Sequence, residues 1–257
     1  MQNSPDADGL RLHNKIRKLT GKAIGDFNLI EAGDRIAVGV SGGKDSYSLL
    51  HILDSLRRRA PVRYELVAVN IDAGFSGYRK EVIEGHLRQH GFSYHMETTS
   101  AYAIIEEKRR PGSSYCSFCA RLRRGALYMV ADQLGCNKIA LAHHLDDFIE
   151  TLLLNQFYVG TLGAMSPKLR ADNGRHTVIR PFVYVEEQDI IAYCRSNAFP
   201  VICCSCPVAG RGDLQRQKMK QLISALAAEN PHLKRSLSGA LCNIHPQQLL
   251  DRKFQTF

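Results

Sequence analysis

Three groups of side chains in this 257-residue chain have types and spacings that can do chemistry. The first is Ser41-Gly42-Gly43-Lys44-Asp45-Ser46. Two adjacent glycines let a backbone approach an anion with no Cβ in the way. A helix starting after them aims free N–H groups and the positive end of its dipole at the same point. Lys44 adds charge there, and Ser41 and Ser46 add hydroxyl donors. The pattern is neither the Walker A spacing nor the dinucleotide G-x-G-x-x-G, and its plain alternative is a tight turn with a capping serine. The second group is two cysteine pairs, Cys116 with Cys119 and Cys203 with Cys206, Cys204 lying inside the latter. Such pairs suit a closed four-cysteine zinc site, a redox dithiol or an iron–sulfur cluster, and spacing does not separate the three. Arg121, Arg123 and Arg124 follow the first pair; they either hold a polyanion or form a solvated helix face. The third group is His143-His144-Leu145-Asp146-Asp147. Adjacent carboxylates opening a helix are stabilised by its dipole, and with two histidines they could also hold Mg2+ beside phosphates.

These groups need rigid elements to position them. The β-branched run Arg35–Val40 reads as a buried strand ending at the glycine pair, and Leu49, Ile52, Leu53 and Leu56 recur as one helix face. Further strands are expected at Tyr64–Ile71, Ser93–Glu97, Lys138–His143 and His176–Phe182. Helices are expected at Leu10–Ile30, Arg79–His90, Ala120–Leu134, Asp146–Tyr158, Glu186–Asn197 and Leu214–Ala228. Strands alternating with helices imply an α/β fold, a Rossmann-like parallel sheet with helices on both faces. Such sheets bind ligands at the C-terminal ends of their strands, where Ser41–Ser46, Asn70–Ala73 and His143–Asp147 all fall. The expected organisation is an N-terminal helical segment (1–30), a nucleotide domain (31–200) and a cysteine-containing helical extension (201–257). The stretch Val159–Arg175, with its glycines and basic residues, reads as a mobile loop.

Lys and Arg number 34 against 25 Asp and Glu, a formal charge of +9, which favours a polyanionic partner such as nucleic acid. Eight cysteines and no apolar block of a secretory signal point to a reducing, cytoplasmic setting, where structural disulfides are not expected. No stretch approaches the ~20 apolar residues of a membrane span.

The SGGKDS turn resembles the PP-loop of the ATP pyrophosphatase superfamily, whose members split ATP between its α and β phosphates and adenylate a carbonyl-type oxygen. His143 to Thr151 resembles the H-x-x-D-D-x-x-E-T signature of the tRNA-modifying branch. Cys116 to Tyr128 reads C-S-x-C-x-R-L-R-R-G-x-L-Y, and Arg180-Pro181, a late cysteine pair and Leu214-Gln-Arg-Gln217 follow. In that order, from about Lys15 to Gln217, the motifs are similar to those of the tRNA 2-thiocytidine biosynthesis family (the TtcA group). The resemblance implies an adenine nucleotide alpha hydrolase-like fold that uses ATP and Mg2+. It implies a [4Fe–4S] cluster on Cys116, Cys119 and Cys206, three ligands that leave one iron open. Ser41, Gly42, Gly43, Lys44, Asp45, Ser46, Asn70, Asp72 and His143 would bind the nucleotide. Lys44, Asp45, Asp146 and Asp147 would serve catalysis. The substrate implied is cytidine 32 of the tRNA anticodon loop, adenylated at its C2 oxygen and converted to 2-thiocytidine. A sulfur donor such as a cysteine desulfurase or sulfide, and a homodimer, are implied partners.

Two alternatives are weighed against this. One is another PP-loop tRNA modifier, a 2-thiouridine or lysidine synthetase; no cysteine precedes Cys116 and only Cys242 follows Cys206, which speaks against the terminal zinc pairs of the thiouridine branch. The other is a zinc-stabilised RNA-binding module without catalysis. Cys136, Cys194 and Cys242 are expected to serve packing. Lys168, Arg170, Arg211, Arg216, Lys218 and Lys220 are candidates for tRNA contact.

Overall fold

The chain forms strands β1 (Arg35–Gly39), β2 (Glu65–Asp72), β3 (Tyr94–Thr98), β4 (Lys138–Ala140), β5 (Lys168–Arg170) and β6 (Thr177–Ile179). They come from a computed structural model that describes residues 7–109, 115–171, 174–202 and 214–254. Cys203, Cys204, Cys206 and Arg211 lie outside the described residues. The strands make one sheet of order β3-β2-β1-β4-β6-β5, parallel throughout except that β5 runs antiparallel to β6. From β1 the chain winds outward through β2 to β3, then returns to β1's other side with β4. The point where winding reverses, at the C-terminal ends of β1 and β4, is where α/β sheets open a ligand crevice.

The chain divides into two compact units, residues 1–145 with 166–213, and residues 146–165 with 214–257. The first unit holds the sheet with α1 (Ala7–Asp26), α2 (Lys44–Arg57), α3 (Lys80–Gln89), α4 (Ala101–Lys108), α5 (Tyr115–Gln133) and α7 (Glu187–Ser196). Side chains alternate across a strand, so Ala37, Val67, Val69, Ile71 and Ile139 share one sheet face. They pack there on Ala126, Leu127, Val130 and Ala131 of α5, with Cys136. Successive βαβ crossovers set α2 with α1 and α7 on the other face. Before β1, Asp34 receives hydrogen bonds from the Glu31 backbone N–H (2.6 Å) and Asn137 (2.7 Å), and the buried Lys138 pairs with Asp34 (2.7 Å) and Glu31 (2.8 Å). This ion cluster pins the start of β4 to the turn that launches β1.

The second unit holds α6 (Leu145–Leu154) from Asp146 onward, a π-helical turn at Asn155–Val159, α8 (Leu214–Glu229) and α9 (Leu233–Ala240), which packs on α8. The Asn155 side chain donates to Gly163 O (2.8 Å) and closes the loop after the π turn, whose end is Gly160 at φ 72°. No helix among the described residues is long and apolar enough to cross a membrane.

The structure departs from expectation in particular places. The strand at 138 ends at Ala140, and β6 ends before Arg180-Pro181, since proline has no N–H to continue a ladder. The stretch expected to be a mobile loop contributes β5, a short edge strand. Helix α5 starts at Tyr115, earlier than expected, and so takes both Cys116 and Cys119 into the helix.

Candidate functional site

Gly42 lies at φ +82°, in the left-handed region that glycine enters without penalty. A Cβ there would stand 2.5 Å from Cγ1 of Ile202 and 2.9 Å from Cδ1 of Ile83. The turn is pinned by a bond from the Ile202 N–H to Gly42 O (3.0 Å) and by its own serines. Ser46 Oγ donates to Gly43 O (2.9 Å) and accepts from the Ser41 N–H (3.2 Å). Gly43 caps α2 with extended backbone and no side-chain hydrogen bond, so no side chain takes the anion's place at the helix start. Backbone arranged in this way can cradle an anion at a helix start.

Lys44 reaches over the cradle's flank, with Nζ 3.1 Å from Asp45 and 3.1 Å from Glu187 of α7. Burial alone would lower its pKa, but the two carboxylates outweigh burial and hold the ammonium above its ordinary value. His144, buried after β4, sets Nε2 3.8 Å from Asp45 Oδ1. Next to it, the Arg180 Nε donates to His143 Nδ1 (3.3 Å), which leaves the His143 proton on Nε2. Burial lowers the Arg180 pKa, Tyr128 opposes that, and Arg124 adds to it, so two guanidinium groups share this end of the sheet.

At the end of β2, the Asn70 amide donates to Val40 O (2.7 Å) and to the Tyr78 hydroxyl (2.7 Å), while its Oδ1 is buried with no hydrogen-bond partner among the described residues. A buried acceptor of this kind is a donor-seeking atom. Asp72 is engaged locally: Oδ1 accepts from the Gly74 N–H (2.8 Å) and Oδ2 lies 3.7 Å from Lys80 Nζ.

A cavity of about 240 Å³ is lined by Ser41 and Gly43 of the cradle, Ile71 near the end of β2, Ala73, Phe75 and Tyr78 after it, Ile202, and Arg123 of α5. Cys119 lies one helical turn before Arg123, on the same face of α5, and packs against the cluster of Ala73 and Phe75 that lines this cavity. Cys116 precedes Cys119 by three residues and is exposed. Cys119 therefore packs on a cluster that shares Ala73 and Phe75 with the lining of this cavity. Neither cysteine forms a disulfide among the described residues, and the two lie three residues apart on one helix. That donor set fits a soft-ligand metal group; Cys206, the third expected ligand, lies outside the described residues.

The three arginines of α5 diverge. Arg121 and Arg123 point roughly 200° apart at 3.6 residues per turn. Arg123 faces the phosphate cavity, whereas Arg121 lines a larger cavity of about 720 Å³ with Met129, Asp132 and Arg175, and the two cavities share no residue.

In the second unit, Asp146 pairs with Lys234 (2.7 Å), and Asp147 and Glu150 pair with Arg216 at 3.4 and 3.6 Å. Arg216 also reaches Thr151 Oγ1 (3.4 Å). The D-D-x-x-E-T and L-Q-R-Q motifs thus meet through Arg216, which the sequence suggested only as a tRNA contact. Glu187 and His144 were absent from the expected site residues. Glu187 carried only the signal of an acid opening a helix, and His144 was part of the double histidine. Cys136 and Cys194 are buried as expected, but Cys242 is exposed and does not serve packing.

The chain matches the PP-loop domain family over residues 11–201. It is 68% identical over 247 residues to the tRNA-cytidine(32) 2-sulfurtransferase of Syntrophotalea carbinolica, covering 96% of this chain and 95% of that protein. It is 64% identical to the protein of the same name from Geobacter sulfurreducens, covering 96% of each. In fold it resembles the U34-tRNA thiolase NcsA from Methanococcus maripaludis, solved with its [4Fe–4S] cluster: TM-score 0.74, 21% identity, 96% of this chain and 85% of that one.

Proposed function

The chain belongs to the PP-loop tRNA-cytidine(32) 2-sulfurtransferase family, and from that premise we propose that it converts cytidine 32 of the tRNA anticodon loop to 2-thiocytidine. ATP adenylates the C2 oxygen with loss of pyrophosphate, and sulfur then replaces that oxygen as AMP leaves. The observation that carries the reading is the shared cavity: the phosphate cradle, Arg123 and the wall against which Cys119 packs meet within the first unit. A phosphate-activating site and a sulfur site are useful side by side only if one product needs both.

The residues divide the work. The Gly42-Gly43 backbone and the start of α2 bind the phosphates. Lys44, kept protonated by Asp45 and Glu187, offsets charge that develops on the leaving pyrophosphate, and Arg123 does so at the α phosphate from the opposite wall. Asn70 Oδ1 is the acceptor available to a donor group of the nucleoside. His144 and Asp45 orient one another beside Lys44. Cys116 and Cys119, with Cys206, are the ligands we propose for a [4Fe–4S] cluster, which would supply the site for sulfur delivery. Within the second unit, Asp146 and Asp147 offer the hard oxygen donors that Mg2+ takes; each is paired with a basic side chain that the ion would displace. Arg121 and Arg175, on the face of α5 away from the phosphate cradle, suit the backbone of the anticodon loop, whose splayed bases can be taken one at a time. The reading sets the enzyme in the cytoplasm, receiving sulfur from a cysteine desulfurase or sulfide and working as a homodimer.

Nucleoside digestion of tRNA from cells with and without the gene, read by mass spectrometry, tests the proposal. 2-Thiocytidine should vanish with the gene and return with the wild type but not with Cys116→Ala or Lys44→Ala. An unchanged 2-thiocytidine level would refute the substrate.

A further inference from the structure

Helix α2 and the C-terminal end of α3 bring together three histidines, none of them a residue assigned above. His51 and His86 place their Nε2 atoms 2.9 Å apart. His90 joins them, and one ring nitrogen from each of the three lies within 4.8 Å of the others. His86 and His90 are four residues apart at the C-terminal end of α3, the spacing that sets two imidazoles on one helix face toward a common ion. His51 supplies the third from the neighbouring helix.

We propose that His51, His86 and His90 form a binding site for one borderline divalent cation of the Zn2+, Co2+ or Ni2+ type. Such ions take imidazole nitrogen at about 2.0–2.1 Å, and tetrahedral ligands then stand about 3.3 Å apart. The observed spacings bracket that value, so closure needs side-chain adjustments of an ångström or so. The supporting shell is in place. His90 Nδ1 lies 2.9 Å from the His86 carbonyl and donates to it, which fixes the ring and leaves Nε2 as the lone-pair nitrogen. Metal-bound histidines are commonly held by such an outer hydrogen bond. Phe199 stacks on His51 (centroids 4.7 Å), and Phe92 (5.0 Å) and Tyr47 (4.7 Å from His86) wall the pair, which orients the rings and keeps water from the inner side. Burial first, and the neighbouring imidazoles after it, push His51 down to about 3 and His86 down to about 4, so both are neutral near pH 7, the form that ligates. The exposed side at His90 leaves the fourth position to water or an external ligand. An ion there would clamp α2, which begins at the phosphate cradle, to α3, which follows the cavity wall of β2.

The site is tested by titrating the full chain with Co2+, followed by visible d–d absorption, and with Zn2+, followed by melting temperature. The expected result is one equivalent of Co2+ without thiolate-to-metal charge transfer, displaced by Zn2+, with Zn2+ raising the melting temperature. His90→Ala changes an exposed side chain, and His51→Phe keeps a ring against Phe199. Each should weaken this equivalent at least about tenfold, whereas Cys116→Ser should retain it. Persistence of the equivalent in both histidine variants, or its disappearance in Cys116→Ser, overturns the proposal.

Discussion

Replacing Gly42 by alanine tests whether the cradle depends on a close backbone approach. The left-handed conformation at φ +82° costs a residue with a Cβ about 1–2 kcal/mol. The new methyl would also meet Ile202 Cγ1 at 2.5 Å and Ile83 Cδ1 at 2.9 Å. Overpacking of that kind costs about 1–3 kcal/mol. The sum centres on about 3.5 kcal/mol, which for a chain of this length lowers the melting temperature by roughly 7–14 °C. Gly43→Ala is the control: its φ is −85°, and its Cβ would meet only Ser41 Oγ at 3.4 Å. That variant should stay within about 1 kcal/mol of wild type yet bind ATP more weakly, because its methyl enters the phosphate cavity. A cycle with Ile202→Ala separates the two costs of Gly42→Ala. The double variant should be more stable than the sum of the singles by about 1–2 kcal/mol, the steric part, while the dihedral part remains. Thermal melts of the four proteins, with nucleotide binding by calorimetry, decide the matter. Strict additivity, or a Gly42→Ala protein as stable as wild type, would refute the close-approach argument.

Lys44→Ala should lower the ATP-dependent rate about 10²–10³-fold, as loss of a charge-stabilising donor does, in a pyrophosphate-release assay with tRNA present. Arg123→Ala and Arg121→Ala should split by function: the first weakens nucleotide turnover, and the second leaves ATP binding intact but lowers tRNA affinity in a filter-binding assay. Asp34→Asn removes a buried partner of Lys138 and should cost about 3 kcal/mol. Burial raises the Asp34 pKa, but the hydrogen bonds from Lys138, the Glu31 N–H and Asn137, with the Lys138 charge, more than offset it, so the folded value lies below 3.8. Its contribution is therefore present above pH 3.8 and lost as pH falls through the folded value. Denaturant melts across that window should show a slope in wild type that Asp34→Asn lacks.

The elements that position the phosphate cradle were legible because they carry strong local signals. The run Arg35–Val40, the glycine pair and the apolar stripe of α2 each follow one period, and tertiary packing had nothing to override. Helices α4 and α9 were not read, since eight residues each give barely two turns of pattern. Strand β5 was hidden by the glycines and basic residues around it; pairing with β6, not its own propensity, makes it a strand. Within the site, Lys44, Asp45 and the serines were identifiable from spacing. Glu187 was not, because its approach to Lys44 joins residues 143 positions apart and depends on where α7 packs. Asp146 and Asp147 stood out as a motif, but their pairing with Lys234 and Arg216 needed two further helices.

Helix α5 shows why the cysteine pair and the arginines had to be read in three dimensions. In sequence, Arg121, Arg123 and Arg124 form one basic run, and a basic run is ordinarily a solvated face. The helical period breaks the run apart: Arg123 turns to the phosphate cavity, Arg124 toward Arg180, and Arg121 to the larger cavity. The same period puts Cys119 and Arg123 on one face, so the residue that lines the cavity with Ser41 and Gly43 and the residue proposed for the sulfur site move as one rigid body. A one-residue insertion between them would rotate Cys119 by roughly 100° relative to Arg123. It should abolish thiolation while leaving ATP binding by calorimetry intact. If thiolation survived that insertion, the joint placement of nucleotide and sulfur on α5 would be wrong, even with every motif still in the chain.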